Sequence, residues 1–144
     1  MQGTVAHLLE TKGSAVWTVE PGATVYRALE LMAEKAVGAL VVTDGDLLAG
    51  IISERDYARK VILLDRGSKQ TAVSEIMTAD VVTVTSTSTL GECMNLMTDK
   101  RIRHLPVVDE ERRVVGLVSI GDVVRAIIEW QQAMIQDLES YITG

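Results

Sequence analysis

The chain of 144 residues carries 14 Lys and Arg against 20 Asp and Glu, which gives a formal net charge of −6 at pH 7. This acidic balance argues against general affinity for nucleic acid or anionic membranes, since phosphate surfaces attract clustered cations. No apolar stretch approaches the roughly 20 residues needed to cross a bilayer, and the amino terminus lacks a basic leader followed by a long apolar block. With a single cysteine and no intrachain disulfide, the chain is expected to be a soluble, cytoplasmic protein without a membrane partner.

The first half of the chain predicts a strand, a helix, two strands and a second helix. In chain order these are a strand at 16–19, a helix over about 25–36, strands at 40–43 and 47–52, and a helix from Ser53 to about Leu64. The helix over 25–36 is indicated by apolar residues at helical spacing. The turn at Asp44-Gly45 is typical of a hairpin and joins the second and third strands.

The same order recurs in the second half. The segment from Gly50 to Tyr57 matches the segment from Gly116 to Val123, 66 positions later. Internal similarity at a fixed offset is typical of a duplicated structural unit. The predicted organisation is repeat one at 1–66, a polar linker at 65–71, repeat two at 73–128 and a carboxyl-terminal helical extension at 129–144.

Neither repeat can close a core alone, because units of about 60 residues with one sheet face are marginally stable. The two repeats are therefore expected to pack sheet to sheet around a pseudo-twofold axis. Such packing leaves two equivalent clefts at the seam, a common location for a ligand.

A Ser-x-x-Asp turn follows the last strand of both repeats, at Ser53-x-x-Asp56 and Ser119-x-x-Asp122, and Arg103-His104-Leu105-Pro106 lies ahead of the second of these turns. This pattern resembles the CBS-domain family over about residues 5–128. The resemblance implies an α/β (α+β) fold of two pseudo-twofold CBS repeats, known as a Bateman module. In that family such a module binds AMP, ATP, related adenosyl ligands or NAD between its repeats.

Each Ser-x-x-Asp turn has two interpretations. Ser at the start of a helix with an acid three positions later is typical of a capping box. The same geometry also presents helix amide groups to a phosphate and a carboxylate that accepts both hydroxyl protons of a ribose. Duplication at facing positions favours the ligand interpretation.

Cations and small residues near these turns extend the predicted site. Arg103 supplies a donor fork suited to phosphate, and His104 adds a donor whose charge depends on pH. Arg55 and Arg59 share a helix face and either pair with neighbouring acids or bind phosphate. Gly38 lets an adenine ring approach the backbone closely. In the family, the first strand of each repeat helps to enclose the adenine.

The predicted ligand-binding residues are Val16, Trp17, Thr18, Gly38, Ala39, Ser53, Arg55, Asp56, Arg59, Val81, Thr83, Arg103, His104, Leu105, Pro106, Ser119, Gly121 and Asp122. Two unequal clefts are expected. One combines Asp122 with Arg103 and His104 and binds AMP more tightly. The other combines Asp56 with the helix arginines, and these longer arms favour a larger phosphate chain or a dinucleotide.

Catalysis is not expected, because the sequence has no metal-ligand cluster, Walker loop or nucleophile elbow. Cys93 lies on an apolar helical face and is interpreted as a small core residue. The predicted function is a non-catalytic regulatory sensor of adenine nucleotides, with AMP as the expected ligand and ATP or NAD as alternatives. The other interpretations are a structural protein–protein interaction module without a nucleotide and a binder of single-stranded nucleic acid.

An apolar stripe runs beyond the repeat at the carboxyl end. Its residues are Val123, Ile127, Trp130, Met134, Leu138 and Tyr141. Past residue 129 this stripe has no counterpart in repeat one to cover it, and bare apolar patches seldom persist on soluble monomers. The sequence therefore predicts a homodimer. An unidentified regulated protein is a second expected partner.

Overall fold

The computed structural model of the protein describes residues 3–143. The first half contains helix α1 (Val5–Lys12), strand β1 (Thr18–Val19), helix α2 (Val25–Lys35), strands β2 (Ala39–Asp44) and β3 (Leu47–Ser53), helix α3 (Glu54–Tyr57) and a π-helical segment (Ala58–Ile62). The second half contains helices α4 (Val73–Ile76) and α5 (Leu90–Lys100), strands β4 (His104–Val108) and β5 (Val114–Ser119), and helix α6 (Ile120–Thr143). Helix α6 includes residues 129–143 of the predicted carboxyl-terminal extension without a break, and residue 144 lies outside the described residues.

The strands form one sheet in each repeat. In repeat one, β1 pairs parallel with β2 and β2 pairs antiparallel with β3. In repeat two, β4 pairs antiparallel with β5. The two hairpins meet where the Leu48 amide donates to the Arg112 carbonyl at 3.1 Å and the Val114 amide donates to the Asp46 carbonyl at 3.1 Å. The molecule is an α+β protein built from two related repeats, as predicted.

The predicted first strand of repeat two is wrong. Residues 82–84 match 17–19 of the first predicted strand in sequence, but a single parallel bridge, between Val84 and Val107, lies where that strand was expected. The Thr85 amide donates to Ser88 Oγ at 3.1 Å, so the chain turns directly after the bridge. This turn leads into α5, where Thr89 and Glu92 form a capping box. The segment 82–84, which we expected to line a cleft as a strand, is therefore extended backbone outside a regular strand.

Each repeat begins with a helix that packs on the other repeat, a feature that the sequence analysis missed. Val5 and Leu8 of α1 belong to the core of repeat two. Val73 and Ile76 of α4 belong to the core of repeat one. The exchange explains why neither repeat closes its core alone, since each core includes apolar side chains from the opposite half.

Cys93 lies on α5 and is fully buried in the core of repeat two, in agreement with its interpretation as a core residue. Burial raises the pKa of its thiol, and the neighbouring Glu92 carboxylate raises this pKa further. A buried thiol that resists ionisation is a poor nucleophile and a poor metal ligand. Cys93 therefore contributes packing.

Candidate functional site

A cavity of about 470 Å³ lies at the seam between the repeats, where the end of β3 in repeat one faces the start of β4 in repeat two. Its lining residues are Gly38, Ile51, Ser53, Glu54, Arg55, Asp56, Arg59, Thr78, Asp80, Val81, Val82, Arg101, Ile102, Arg103 and His104. The volume falls within the range typical of small-molecule sites. We call this cavity the Asp56 cleft.

The Ser53-x-x-Asp56 turn positions the cleft's central carboxylate. Ser53 Oγ accepts a hydrogen bond from the Asp56 amide at 3.1 Å, and Asp56 Oδ2 accepts from the Ser53 amide at 3.0 Å. Ser53 Oγ also lies 3.1 Å from Asp56 Oδ2 and donates to it. The capping box holds Asp56 in one orientation. A carboxylate has about four acceptor sites, so this one retains capacity for a ligand.

Four arginine residues line the same cleft: Arg55, Arg59, Arg101 and Arg103. Among the described residues, none of the four takes part in an ion pair. The carboxylates of the lining are three, at Glu54, Asp56 and Asp80. Positive charge is therefore in excess inside this cleft, although the whole chain has a net charge of −6. Such a cleft concentrates anionic ligands.

His104 begins β4 and pairs with Ser119 across the hairpin. Burial lowers the pKa of its imidazole. Asp122 opposes this shift, whereas Arg103 and Lys12 add to it, and the net pKa lies below the ordinary value for histidine. His104 is consequently neutral at pH 7 and offers the cleft one donor and one acceptor.

Apolar side chains form another part of the wall. Ile51 comes from β3, Val81 and Val82 precede α5, and Ile102 precedes β4. All four are half-buried, so they present apolar surface to the cleft while remaining anchored in the fold. The cleft thus combines an anchored carboxylate, an excess of guanidinium groups and an apolar surface.

The second Ser-x-x-Asp turn has a different environment. The Asp122 amide donates to Ser119 Oγ at 3.1 Å, and Asp122 Oδ2 accepts from the Ser119 amide at 2.9 Å. The Lys12 ammonium group also donates to Asp122 Oδ2, at 2.6 Å. Burial raises the pKa of Asp122, but the Lys12 and Ser119 hydrogen bonds outweigh it, so this pKa lies below its usual range. Asp122 borders a separate groove of about 560 Å³ between α1 and α6.

The predicted grouping of residues into two clefts stays a prediction, because Arg103 and His104 line the cavity with Asp56 while His104 also pairs with Ser119 and is close enough to Asp122 for that carboxylate to affect its pKa. Gly38, Arg103 and His104 line the cleft with Asp56, although we expected them with Asp122. The residues at the starts of β2 and β4, Gly38 on one side and Arg103 and His104 on the other, line this one cavity. Of the residues predicted for the Asp56 cleft, Ser53, Arg55, Arg59 and Val81 line it together with Asp56.

Several predicted residues lie outside the lining of both cavities. These are Val16, Trp17, Thr18, Ala39, Thr83, Leu105, Pro106, Ser119 and Gly121. Ala39 and Leu105 are buried within their sheets. Trp17 is 43% exposed, with the Lys35 ammonium group 4.4 Å from the centre of its ring.

Other lining residues were not predicted. They are Ile51, Glu54, Thr78, Asp80, Val82, Arg101 and Ile102. Arg101 and Ile102 directly precede the Arg103-His104 pair, so a wider window around that pair finds them. Arg101 also caps α5 in the left-handed conformation with φ 55°, which turns the chain towards the cleft.

Within residues 3–143, no group of three or more His, Cys, Asp or Glu side chains is arranged to hold a metal ion. The described helices include none with the length and apolar character required to cross a membrane. The fold and the cleft together define a class of protein: a tandem-repeat module with a ligand-sized cavity at the seam.

The chain belongs to the CBS-domain family, whose sequence model matches residues 12–63 and 73–129. It is 42% identical over 151 aligned residues to the mitochondrial CBS domain-containing protein CBSX3 of Arabidopsis thaliana, covering 98% of this chain and 72% of that protein. A solved structure of a CBS-domain protein from Burkholderia ambifaria is 52% identical with a TM-score of 0.84, covering 88% of this chain and 95% of that one.

A more distant solved structure carries ligands. The CBS domain pair of protein MJ0100, in complex with 5′-methylthioadenosine and S-adenosyl-L-methionine, is 26% identical with a TM-score of 0.77. The alignment covers 87% of this chain and 99% of that one. Adenosine-containing ligands are thus bound by a CBS pair of the same fold.

Proposed function

We propose that the protein is a non-catalytic regulatory module that binds an adenine nucleotide in the Asp56 cleft. The observation that carries this proposal is the meeting of one anchored carboxylate with four guanidinium groups in a cavity of about 470 Å³. AMP is the expected ligand, and ATP and NAD are the alternatives. The adenosyl ligands of the MJ0100 domain pair support the choice of an adenosine compound.

Each part of the cleft matches a part of a nucleotide. The Asp56 carboxylate accepts hydrogen bonds from the ribose hydroxyls, which are donors that an acceptor-only group can serve. The guanidinium groups bind phosphate oxygens in charge-assisted hydrogen bonds. Val81 and Ile102 contact the adenine ring, and the absence of a side chain at Gly38 lets the ligand approach the backbone. The nearest atom to a Cβ placed at Gly38 is Glu54 Oε1 at 3.9 Å, so space remains on this side.

The regulatory part of the proposal follows from the position of the cleft. The lining comes from both repeats, so a bound nucleotide contacts both and favours the arrangement in which they are closed on it. A ligand shifts an equilibrium only by its differential affinity for the two arrangements. A partner protein that senses the arrangement of the repeats would then respond to the level of the nucleotide.

Calorimetric titration with AMP tests the site. Asp56→Ala removes the proposed ribose acceptor and is expected to weaken binding by roughly ten- to hundredfold, the range for one charge-assisted hydrogen bond. Asp122→Ala is the matched control, because Asp122 occupies the equivalent turn outside this cleft. It is expected to weaken AMP binding less, the reverse of the order predicted from the sequence. Equal losses, or a greater loss in Asp122→Ala, would show that the cleft is assigned wrongly.

Thermal unfolding tests whether any adenine nucleotide is a ligand. A compound that binds only the folded state raises the melting temperature. AMP, ATP or NAD at millimolar concentration should do so, and GMP should do so less. If all three adenine compounds leave the melting curve unchanged, the nucleotide proposal is rejected and the interaction module becomes the better explanation.

A further inference from the structure

Lys12 ends helix α1 and reaches across to repeat two. Its ammonium group donates hydrogen bonds to the Leu117 carbonyl at 2.8 Å and to Asp122 Oδ2 at 2.6 Å. The Lys12 side chain is 31% exposed and the Asp122 side chain 17% exposed, so solvent only partly screens the pair. Asp122 Oδ2 also accepts from the Ser119 amide at 2.9 Å. One carboxylate oxygen therefore serves both the helix cap and Lys12.

The carbonyl that Lys12 occupies has a different partner in repeat one. Ile51 is the equivalent of Leu117, and its carbonyl accepts from the backbone amide of Thr78 at 2.9 Å. The Thr78 carbonyl accepts from the Ile51 amide in return, also at 2.9 Å. The Ile51 carbonyl of repeat one is therefore hydrogen-bonded by a backbone amide, whereas the equivalent Leu117 carbonyl of repeat two is hydrogen-bonded by a lysine side chain.

The lysine beside Asp56 makes a weaker contact. Lys60 Nζ lies 3.6 Å from Asp56 Oδ1, an ion pair too long for a good hydrogen bond. Its hydrogen bond goes to the Ile76 carbonyl at 3.0 Å. Asp56 is therefore less strongly engaged by a cation of its own chain than Asp122 is.

The difference arises from the lengths of the two leading helices. Helix α4 has 4 residues and ends at Ile76, after which the chain is extended and forms the bridge at Thr78. Helix α1 has 8 residues and continues to Lys12, where Gly13 ends it with φ 96°. The additional residues amount to about one helical turn. This extra helical turn places the Lys12 ammonium group at the Leu117 carbonyl. In repeat one, the Thr78 amide occupies the equivalent position at the Ile51 carbonyl.

We propose that Lys12 is a specificity-determining residue that occupies the acceptor of the Asp122 turn, so that each chain binds one nucleotide, at Asp56. The inference rests on the proposed function and deepens it by fixing the number of ligands per chain. A ribose diol uses both oxygens of a carboxylate, and at Asp122 Oδ2 its hydroxyl must compete with the charge-assisted hydrogen bond that Lys12 already donates. Displacing such a bond weakens binding by at least about tenfold.

Equilibrium dialysis or calorimetry with AMP measures the number of sites. Lys12→Met keeps the aliphatic stem and removes the ammonium group, and Lys60→Met is the matched control beside the other aspartate. The wild-type protein and Lys60→Met are expected to bind one AMP per chain, and Lys12→Met is expected to bind two. If Lys12→Met does not fold, as judged by its melting curve, Lys12→Gln replaces it, since a neutral amide can still donate to the Leu117 carbonyl.

The background of Asp56→Ala separates this inference from the proposed function. Adding Lys12→Met to Asp56→Ala should restore one AMP site per chain, with affinity at least about tenfold above that of Asp56→Ala alone. Adding Lys60→Met should not. Two AMP per wild-type chain would overturn the role of Lys12 and leave the nucleotide function intact.

If the wild-type protein binds no AMP, the nucleotide function fails and Lys12→Met still decides this inference. One AMP bound by Lys12→Met would support the role of Lys12. If Lys12→Met also binds no AMP, the role of Lys12 is overturned. The same holds if the wild-type protein binds AMP and Lys12→Met does not, because Lys12 would then not oppose ligand binding.

Discussion

His104 is the one histidine of the cleft lining, and its neighbours set its charge. Burial lowers its pKa, and the surrounding charges leave the net value below the ordinary histidine pKa of about 6.5. The unfolded chain therefore binds a proton more readily than the folded protein does. The stability that neutral His104 contributes is fully present above about pH 6.5 and is lost as the pH falls below that value.

A bound phosphate changes this balance, which gives a pH prediction. An anion in the Asp56 cleft raises the pKa of His104, so AMP binding should take up protons as the pH falls from about 7.5 to 6.5. Calorimetry in buffers of different ionisation enthalpy measures this uptake. His104→Gln keeps a polar side chain and should bind fewer protons than the wild-type protein. Identical proton uptake in the two proteins would place the phosphate away from His104.

At the scale of elements, two equivalent glycines mark where the exchanged leading segments meet the sheets. Gly50 of β3 lies under the segment that follows α4, and a Cβ added there would lie 2.7 Å from both the Thr78 carbonyl oxygen and Met77 Sδ. Gly116 of β5 lies under α1, and a Cβ there would lie 2.8 Å from Leu9 Cδ1. The first contact includes backbone, whereas the second involves only the end of a flexible side chain.

The two glycines therefore predict unequal costs for the same substitution. Gly50→Ala should lower the free energy of unfolding by about 1 to 3 kcal/mol, the usual cost of overpacking, because the Thr78 backbone must move. Gly116→Ala should cost less, since Leu9 can change rotamer. Urea denaturation followed by circular dichroism measures both. Equal costs would indicate that the segment after α4 is as adaptable as the Leu9 side chain.

The sequence predicted the elements that depend on local pattern. The turn residues at Asp44-Gly45 located the first hairpin, and the duplication located the second hairpin and the paired Ser-x-x-Asp turns. The exchange of α1 and α4 was missed because periodicity indicates which face of a helix is buried but not which half of the chain covers it. The contact of Arg103 with the Asp56 cleft was not predicted for the same reason. Its neighbours in sequence belong to repeat two, while its side chain lines the cleft at Asp56.

At the scale of the whole molecule, α6 extends beyond the packed repeats. The helix has 24 residues, and residues 131–142 are all exposed. Its apolar side chains there include Met134 at 45%, Leu138 at 60% and Tyr141 at 89% exposure. Trp130, which we also assigned to this stripe, is half-buried and lines the groove between α1 and α6. The uncovered surface therefore begins after Trp130.

A second copy of the chain is the occupant that we predict for this surface. An amphipathic helix of this length gains stability when its apolar side packs on an equivalent helix, and a twofold axis lets one stripe serve as both partners. Light scattering at micromolar concentration should give twice the mass of one chain, which is 15.7 kDa.

Leu138→Asp places a charge in the stripe and should yield monomers. Gln136→Asp adds the same charge about 200° away around the helix and should leave the dimer intact. A wild-type protein with the mass of one chain would exclude the dimer, and dissociation by both variants would mean that the interface is not confined to the stripe.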